Sequence, residues 1–346
     1  MNPLIQLLLI SGMAMGTIIT LSSSHWLIAW IGLEINTLAI IPILTNEHYP
    51  RTTEAATKYF LTQAIASALI MLSSMTNAWM TGQWDISQLT TPLAMLLLTL
   101  AITMKLGLAP FHFWFLEVMQ GATLKISLAL STWQKLAPFC LLYMTAPHLN
   151  HPLLITFSLF STMIGSMTGL NQTQTRKIMA CSSITHLGWL TTMLTLNPPI
   201  TMLTLILYIL MTTTIFLVLI MLSMKTLIDL EIVGSTVPML AMMTMLMLLS
   251  LGGLPPLTGF LPKWLILNEL MKFKLIIFSM MLALTTLPSL FFYLRMGYLM
   301  IMVLPPTTTP KYNWRLKIKY PLMLAILMTL STLLLPNLPM ILMILS

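Results

Sequence analysis

Helix-length runs of apolar residues recur along almost the whole chain and decide what it can fold into. A helix needs about 17–25 mainly apolar residues to cross the hydrocarbon core of a bilayer. Only 7% of the 346 residues are charged, whereas about 25% is usual in a soluble domain. The sequence therefore predicts an all-α polytopic membrane protein. The runs are too long for the strands of an outer-membrane barrel, which alternate over about ten residues.

Eleven transmembrane helices are predicted from the positions of these runs. The fourth and ninth contain glycine and proline near their middle, and both are predicted to be broken helices. All connections are short except the one after the tenth span. The predicted spans are 3–21, 25–44, 57–77, 92–120, 125–144, 152–170, 177–195, 199–222, 238–270, 275–298 and 322–344.

Lysine and arginine fall largely on one side of the membrane when these spans are threaded in order. Of the sixteen basic residues, eleven lie on the side of the N-terminus, two lie opposite, and three lie within spans. Such an imbalance is expected from the positive-inside rule and supports the span count. The basic residues on the N-terminal side are Arg51, Lys58, Lys125, Arg176, Lys177, Lys225, Arg295, Lys311, Arg315, Lys317 and Lys319.

A lysine lies beside the predicted break in the fourth span. In the stretch Ala101–Glu117, Lys105 is followed by Gly107 and Pro110. A lysine within a bilayer costs roughly 2.5–3.5 kcal/mol on insertion scales, and such residues usually serve a function. Non-helical backbone at this depth requires a surrounding of protein or of a water-filled cavity. The stretch is therefore the first candidate for a functional site.

The ninth span repeats the features of the fourth. GLAPFHFWFLE begins at Gly107, GLPPLTGFLPK begins at Gly253, and each has an aromatic four residues and a charge seven residues beyond its proline. The residue at the position of Lys105 is Leu251 in the second copy, and Lys263 stands where the first copy has Glu117. Broken helices five spans apart predict an inverted repeat with a transport pathway. The predicted breaks are at Gly107, Pro110, Gly253, Pro255 and Pro256.

Three further charges lie inside predicted spans and have alternative interpretations. Glu34 has no basic residue within a helical turn, so it needs a partner from another helix or it holds a proton; the alternative is a salt bridge used for packing. Lys135 comes after the polar residues Ser131, Thr132 and Gln134. Its alternative role is to donate a hydrogen bond to backbone carbonyl groups that lose their helical partners near Pro138. Lys263 alternatively extends to the membrane interface. Together with Lys105, these residues have the chemistry for charge-coupled proton transfer.

Histidine and cysteine give weaker signals. His186 and His112 lie within spans, and each is either a relay group or a satisfied buried histidine. Cys140 and Cys181 are interpreted as small apolar fillers, with a disulfide as the alternative. The sequence contains no Cys/His cluster with iron–sulfur or zinc spacing, no dinucleotide-binding glycine fingerprint and no basic, aromatic surface for nucleic acid.

Several long segments resemble the antiporter-like membrane subunits of mitochondrial NADH:ubiquinone oxidoreductase, respiratory complex I, of mammalian type. The segments are HWLIAWIGLEINTLAIIPIL, MKLGLAPFHFWFLEV, STWQKLAP, TRKIMACSSITHLGW and GGLPPLTGFLPKW. The resemblance spans the whole chain. It implies two inverted five-helix halves, residues 1–148 and 149–300, followed by a basic loop and terminal helix, 301–346. Fuller members of this family have fourteen spans, and the three absent ones would be N-terminal.

The resemblance also implies functional roles. Glu34, Lys105, Lys135 and Lys263 match the proton-pathway carboxylate and lysines of the family, and His186 matches a polar position of its central axis. His112 and Glu117 are further candidates for the relay. The chain would bind no cofactor, since NADH, FMN, iron–sulfur clusters and ubiquinone belong to other parts of the complex. Its partners would be neighbouring membrane-arm subunits and lipids, with no nucleic acid. It would lie in the mitochondrial inner membrane, with the N-terminus in the matrix and the C-terminus in the intermembrane space.

The sequence thus predicts a proton-translocating membrane subunit without redox chemistry of its own. Two alternatives remain at this stage. A free-standing cation/proton antiporter would transport ions as an isolated chain. A structural spacer would have buried charges that only hold helices together, and its lysines would be capped by carbonyl groups.

Overall fold

Helices follow one another throughout the described part of the computed structural model, which comprises residues 2–46, 49–236, 238–302 and 322–333. No strand occurs within these ranges, and the all-α prediction is confirmed. The α-helices are α1 (Pro3–Ser22), α2 (Trp26–Leu44), α3 (Pro50–Thr81), α4 (Pro92–Leu106), α5 (Phe113–Gly121), α6 (Leu124–Ser131), α7 (Trp133–Thr145), α8 (His151–Gly169), α9 (Thr175–Leu194), α10 (Pro198–Met221), α11 (Leu227–Thr236), α12 (Pro238–Gly252), α13 (Phe260–Lys272), α14 (Ile276–Ile301) and α15 (Leu322–Leu333).

The chain divides into two compact units, Met1–Ser161 and Thr162–Ser346. Among the described residues, six helices are long and apolar enough to cross a membrane: α1, α2, α3, α8, α10 and α14. Some predictions fall outside the described ranges. They concern the basic residues Lys311, Arg315, Lys317 and Lys319 and the final part of the last predicted span.

Helix boundaries depart from the predicted spans where polar residues extend or interrupt a helix. The third helix was predicted at 57–77 but runs from Pro50 to Thr81. Polar residues in its first turns lower the hydropathy of that part of the chain, but they do not prevent it from forming a helix. The predicted single helix 125–144 is wrong, since α6 ends at Ser131 and α7 begins at Trp133. At the junction, the Thr132 hydroxyl and backbone N–H both donate to the carbonyl of Leu128. Such back-bonding bends helices.

The helices α4 and α12 are each followed by a glycine–leucine pair, and both end in the same hydrogen-bonding motif. Gly107 and Gly253 have φ angles of 74° and 80°, a left-handed conformation that glycine adopts without steric penalty. Leu108 N–H donates to Thr103, and Leu254 N–H donates to Leu249, each across five residues. These bonds define Schellman motifs. The repeated glycine and leucine therefore satisfy the last carbonyls of α4 and α12.

Close helix contacts in the first unit depend on small residues. A Cβ atom added to Gly16 on α1 would lie 2.8 Å from the Gly32 carbonyl oxygen on α2. A Cβ atom added to Gly121, at the end of α5, would lie 2.6 Å from Ala55 on α3. Backbones that approach this closely are typical of membrane helix pairs. These contacts fix α2, α3 and α5, which carry much of the candidate site.

Candidate functional site: a buried lysine cavity

Lys105 and Lys135 line one small cavity in the first unit. Lys105 lies in the last turn of α4, and Lys135 lies in the first turn of α7. Each is only 5% exposed. The cavity has about 20 Å³ of space for the centres of water molecules, and about 10–15 Å³ suffices for one water. The site therefore brings two lysines from different helices to a shared space that accommodates water.

Polar side chains from three helices complete the cavity wall. Gln134 on α7 donates from Nε2 to Asn36 Oδ1 on α2 at 3.0 Å. The Tyr59 hydroxyl on α3 donates to Gln134 Oε1 at 3.4 Å. Gln63, one turn further along α3, also lines the cavity. All of these groups except Gln134 are 5% or less exposed, so they form a polar interior within otherwise apolar helices.

Glu34 lies near this site without forming an ion pair there. Its carboxylate attracts the charge of Lys105 electrostatically. Among the described residues, however, no ion pair includes Glu34, and its buried Oε2 atom has no hydrogen-bond partner. The Nζ atom of Lys105 is likewise buried, and it has no hydrogen-bond partner among the residues that the structure describes. The two residues thus interact across a gap, in contrast to the direct salt bridge considered as an alternative for Glu34.

The break after α4 orients aromatic rings toward the lysines. The Trp114 indole donates to the Met104 carbonyl at 3.1 Å, next to Lys105 in the chain. The Phe115 ring centroid lies 4.9 Å from the Lys135 Nζ atom, a cation–π distance. A side chain at Gly107 would crowd Phe115, whose Cβ lies 3.3 Å from the position that a Cβ would take. The break therefore places both rings on the cavity wall.

His112 lies inside the break and is 1% exposed. Its Nδ1 atom is 3.3 Å from the Pro110 carbonyl oxygen, whereas its Nε2 atom is buried and has no hydrogen-bond partner within the described ranges. The ring packs against Phe113 at a centroid distance of 4.2 Å. His112 is not among the residues that line the lysine cavity.

The second unit presents Lys263 in a different way. This residue lies in the first turn of α13 and is 9% exposed. Its Nζ atom donates to the Gly252 carbonyl at 2.8 Å, so it caps the end of α12 instead of extending to an interface. Any side chain at Gly253 would contact Lys263 Cδ at 2.8 Å. The left-handed backbone favours glycine here, and a larger residue would also displace the Lys263 side chain.

His186 lies on α9 among aromatic residues of the second unit. Its Nε2 atom is 3.5 Å from the Tyr293 hydroxyl on α14. The Tyr208 ring on α10 lies 5.7 Å from the histidine ring, centroid to centroid. Both tyrosines are 3% or less exposed. The structure therefore connects His186 with two buried hydroxyl-bearing rings that the sequence did not single out.

Glu117, a predicted relay candidate, forms an ion pair that the sequence did not indicate. Its carboxylate lies 2.5 Å from Lys58 Nζ, which also lies 2.5 Å from Glu54. The Glu117 side chain is 50% exposed and the Lys58 side chain 41% exposed in the isolated chain. The pair was not predicted because its two residues are far apart in the sequence. The positions of Glu54, Lys58 and Glu117, each close to the end of an apolar span, were nevertheless a usable signal for an ion pair. The ion pair between Lys58 and Glu117 links α3 to α5.

Comparisons with known proteins show the class to which this chain belongs. Residues 23–289 match the transmembrane family described as NADH:quinone oxidoreductase/Mrp antiporter. Residues 290–342 match the family described as NADH dehydrogenase subunit 2 C-terminus. Since the first match covers most of the sequence, the chain belongs to the NADH:quinone oxidoreductase/Mrp antiporter family, and it is a multi-pass membrane protein.

Named relatives extend this result over the whole length. The chain is 53% identical over 343 residues to NADH-ubiquinone oxidoreductase chain 2 of Struthio camelus, covering 99% of each. It is 51% identical to the protein of the same name in Xenopus laevis, covering 98% of this chain and 99% of that one. A chain of respiratory complex I from Thermus thermophilus superposes with a TM-score of 0.84 at 28% identity, covering 98% of this chain and 80% of that one. The resemblance found in the sequence is confirmed.

Proposed function

We propose that this chain is a core membrane subunit of a proton-translocating NADH:ubiquinone oxidoreductase and that it moves protons through buried lysines. The proposal assigns the relay to Glu34, Lys105, Lys135 and Lys263, with His186 as a further member. The observation that carries it is the cavity shared by Lys105 and Lys135 beside a broken helix. Two lysines that face a space large enough for water have the arrangement needed to exchange protons.

Charge coupling follows from the burial of the site. In a medium of low dielectric constant, charges interact much more strongly than in water. A proton that arrives at Lys135 disfavours charge on Lys105. Charge on Lys105 in turn strengthens its attraction to Glu34, which already acts across the gap between them. The polar wall of Asn36, Gln134 and Tyr59 can hold water between the charged groups.

The C-terminal family match distinguishes this proposal from a free-standing antiporter. The family of residues 23–289 includes both oxidoreductase and antiporter proteins by its description. Residues 290–342, however, match a family described by NADH dehydrogenase alone. This match and the full-length identity to oxidoreductase chains favour a subunit of the oxidoreductase.

The two lysine environments bear differently on the spacer alternative. Lys263 is capped by a helix carbonyl, as a structural lysine would be. Lys105 has no hydrogen-bond partner in the part of the chain that the structure describes, and it faces a cavity. Desolvating a charge without a partner opposes folding, so a purely structural role does not account for Lys105. The proposal therefore depends most on the first unit.

The proposed placement in the membrane covers residues 1–346. Eleven spans in two inverted five-helix halves, with a terminal helix, would put the basic loops in the mitochondrial matrix together with the N-terminus. The chain would lie in the mitochondrial inner membrane, and its C-terminus would face the intermembrane space. Other membrane-arm subunits and lipids would surround the chain, and NADH, FMN, iron–sulfur clusters and ubiquinone would bind elsewhere in the complex. The strong bias of Lys and Arg to one side supports this orientation.

Replacing the lysine at the position of Lys105 by alanine in a bacterial homologue tests the proposal. We expect proton pumping into vesicles to be lost, because alanine can neither bind a proton nor interact with Glu34. Assembly of the complex is measured in parallel by native electrophoresis. Undiminished pumping by a fully assembled complex would remove Lys105 from the relay.

Replacing Glu117 by glutamine separates the relay from the peripheral ion pair. We expect proton pumping to stay within about a factor of two of the unchanged complex, because partly exposed ion pairs contribute little. The same vesicle assay is used, with the Lys105→Ala complex measured beside it. A loss as large as that caused by Lys105→Ala would place Glu117 in the proton path.

A further inference from the structure

A tyrosine hydroxyl lies between a serine and His186 in the second unit. Tyr293 on α14 is 1% exposed, and its hydroxyl oxygen lies 3.5 Å from His186 Nε2. The same hydroxyl interacts with the side chain of Ser182, which lies one turn before His186 on α9 and is fully buried. The tyrosine oxygen thus has two polar neighbours, and both come from a helix other than its own.

The serine hydroxyl has already donated its proton elsewhere. Its Oγ atom donates to the Met179 carbonyl oxygen on the same helix at 2.7 Å. A hydroxyl group has one proton to donate and two lone pairs that accept. Ser182 can therefore act only as an acceptor toward Tyr293, and a hydrogen bond between these two residues requires the tyrosine to donate.

The tyrosine hydroxyl also has a single proton, and this fixes the role of the histidine. When that proton points to Ser182, the tyrosine oxygen presents only lone pairs to His186, so the ring nitrogen must be the donor. A neutral imidazole has one N–H group and one acceptor nitrogen, and the hydrogen bond made by one nitrogen decides which is which. The donors therefore run in order from His186 Nε2 through Tyr293 and Ser182 to the Met179 carbonyl.

The next serine repeats this arrangement with a second tyrosine. Ser183 Oγ donates to the Ala180 carbonyl oxygen at 2.8 Å, and the Ser183 side chain forms a hydrogen bond with Tyr208 on α10. By the same argument, Tyr208 donates its proton to Ser183. The Tyr208 ring lies 5.7 Å from the His186 ring, centroid to centroid. Two consecutive serines therefore set the direction of the hydroxyl groups of two tyrosines beside the histidine.

We propose that Tyr293 and Ser182 hold neutral His186 as the Nε2–H tautomer and thereby make Nδ1 the nitrogen that takes up a proton. This inference rests on the proposed function, which includes His186 in the relay. The Nε2–H group donates to Tyr293 in both the neutral and the protonated ring, because both nitrogens of a protonated imidazole are donors. A proton can then enter and leave at Nδ1 without breaking any hydrogen bond in this series. Tyr293 and Ser182 are positioning residues that act through His186.

Infrared spectroscopy of the assembled complex tests the tautomer directly. Difference spectra between two pH values are recorded with isotope-labelled histidine, and the spectrum of the His186→Gln complex is subtracted to isolate this ring. We expect the signature of the Nε2–H tautomer. Ser182→Ala removes the acceptor of the Tyr293 proton, so the tyrosine hydroxyl turns to Nε2 and we expect the Nδ1–H tautomer. An Nδ1–H signature in the unchanged complex, or the same signature before and after Ser182→Ala, would contradict the proposal.

Proton translocation into vesicles shows whether the tautomer matters for transport. Tyr293→Phe and Ser182→Ala should each lower translocation about tenfold, the equivalent of about 1.4 kcal/mol, which is the size of one net hydrogen bond. The double variant should be no worse than Tyr293→Phe alone, because both residues act through the same hydrogen bond to His186. Native electrophoresis measures assembly of every variant.

Two matched variants control for the loss of a hydroxyl group as such. Tyr298→Phe removes a tyrosine hydroxyl from an exposed position of α14. Ser166→Ala removes a buried serine hydroxyl that donates to the Met163 carbonyl on α8. Both should leave translocation unchanged.

The outcomes separate this inference from the proposed function. Full translocation by Tyr293→Phe, or losses that add up in the double variant, would assign Tyr293 and Ser182 to packing and overturn the inference. Full translocation by His186→Gln would instead remove His186 from the proposed relay, and the infrared measurement would still decide the tautomer.

Discussion

Replacing Lys135 by methionine is expected to reduce proton translocation by about a hundredfold, the lower limit for loss of a positioned acid–base group. Methionine preserves much of the length and apolar contact of the lysine side chain but cannot carry a proton. Lys135 is 5% exposed and shares its cavity with Lys105. Water from outside the protein therefore cannot easily take over its role in proton transfer. The measurement is the proton gradient formed by vesicles containing the assembled complex, with NADH oxidation followed in parallel.

An arginine at the same position distinguishes proton exchange from a structural charge. Arginine retains the cation and its interaction with the Phe115 ring, which lies 4.9 Å from Lys135 Nζ. It does not release its proton in proteins. We therefore expect Lys135→Arg to be as defective as Lys135→Met. Recovery of translocation by arginine would show that the charge, and not the exchangeable proton, is what the site requires.

Replacing Gly259 by alanine is expected to prevent stable assembly of the chain. A Cβ atom at this position would overlap the Ser250 carbonyl oxygen and would lie 2.6 Å from the carbonyl carbon. Neither atom can move independently, because both belong to the backbone of α12 near its end. Overpacking of a core commonly costs 1–3 kcal/mol, and a backbone collision of this depth is expected to exceed about 3 kcal/mol. The measurement is the amount of assembled complex in membranes.

Gly252 provides a matched control in the same segment. Its nearest neighbour to an added Cβ atom is Tyr293 Cδ2 at 3.7 Å, an ordinary contact. Gly252→Ala should therefore leave assembly close to normal and should keep the carbonyl that Lys263 contacts. Equal assembly of the two alanine variants would show that the tight approach of residue 259 to α12 is not needed for folding.

Local chemistry made the broken helices predictable from sequence. Gly107 and Gly253 close their helices by hydrogen bonds within five residues, and glycine is strongly preferred where the backbone is left-handed. The lysines were equally visible, because a charge in a long apolar run stands out. The helix breaks and the buried lysines depend only on residues nearby in the chain. They can therefore be predicted from a single sequence.

Contacts between distant segments were not predictable in the same way. The hydrogen bond between Gln134 and Asn36 and the ion pair between Lys58 and Glu117 join residues far apart in sequence. The amides of Asn36 and Gln63 were nevertheless a usable signal, since polar groups within apolar spans must find partners. The interruption at Thr132 was missed because nothing in the hydropathy of the predicted span marks it.

The two helix breaks differ in the kind of group that holds their carbonyl ends. The Trp114 indole donates to the end of α4, and an indole N–H keeps the same charge at every physiological pH. Lys263 donates to the end of α12, and a lysine can change its charge when it exchanges a proton. The geometry of the second break is thereby linked to ionisation, whereas that of the first is not. Under the proposed relay, deprotonation of Lys263 would remove the charge from the group that holds the end of α12, whereas deprotonation of Lys105 would break no hydrogen bond within the described residues.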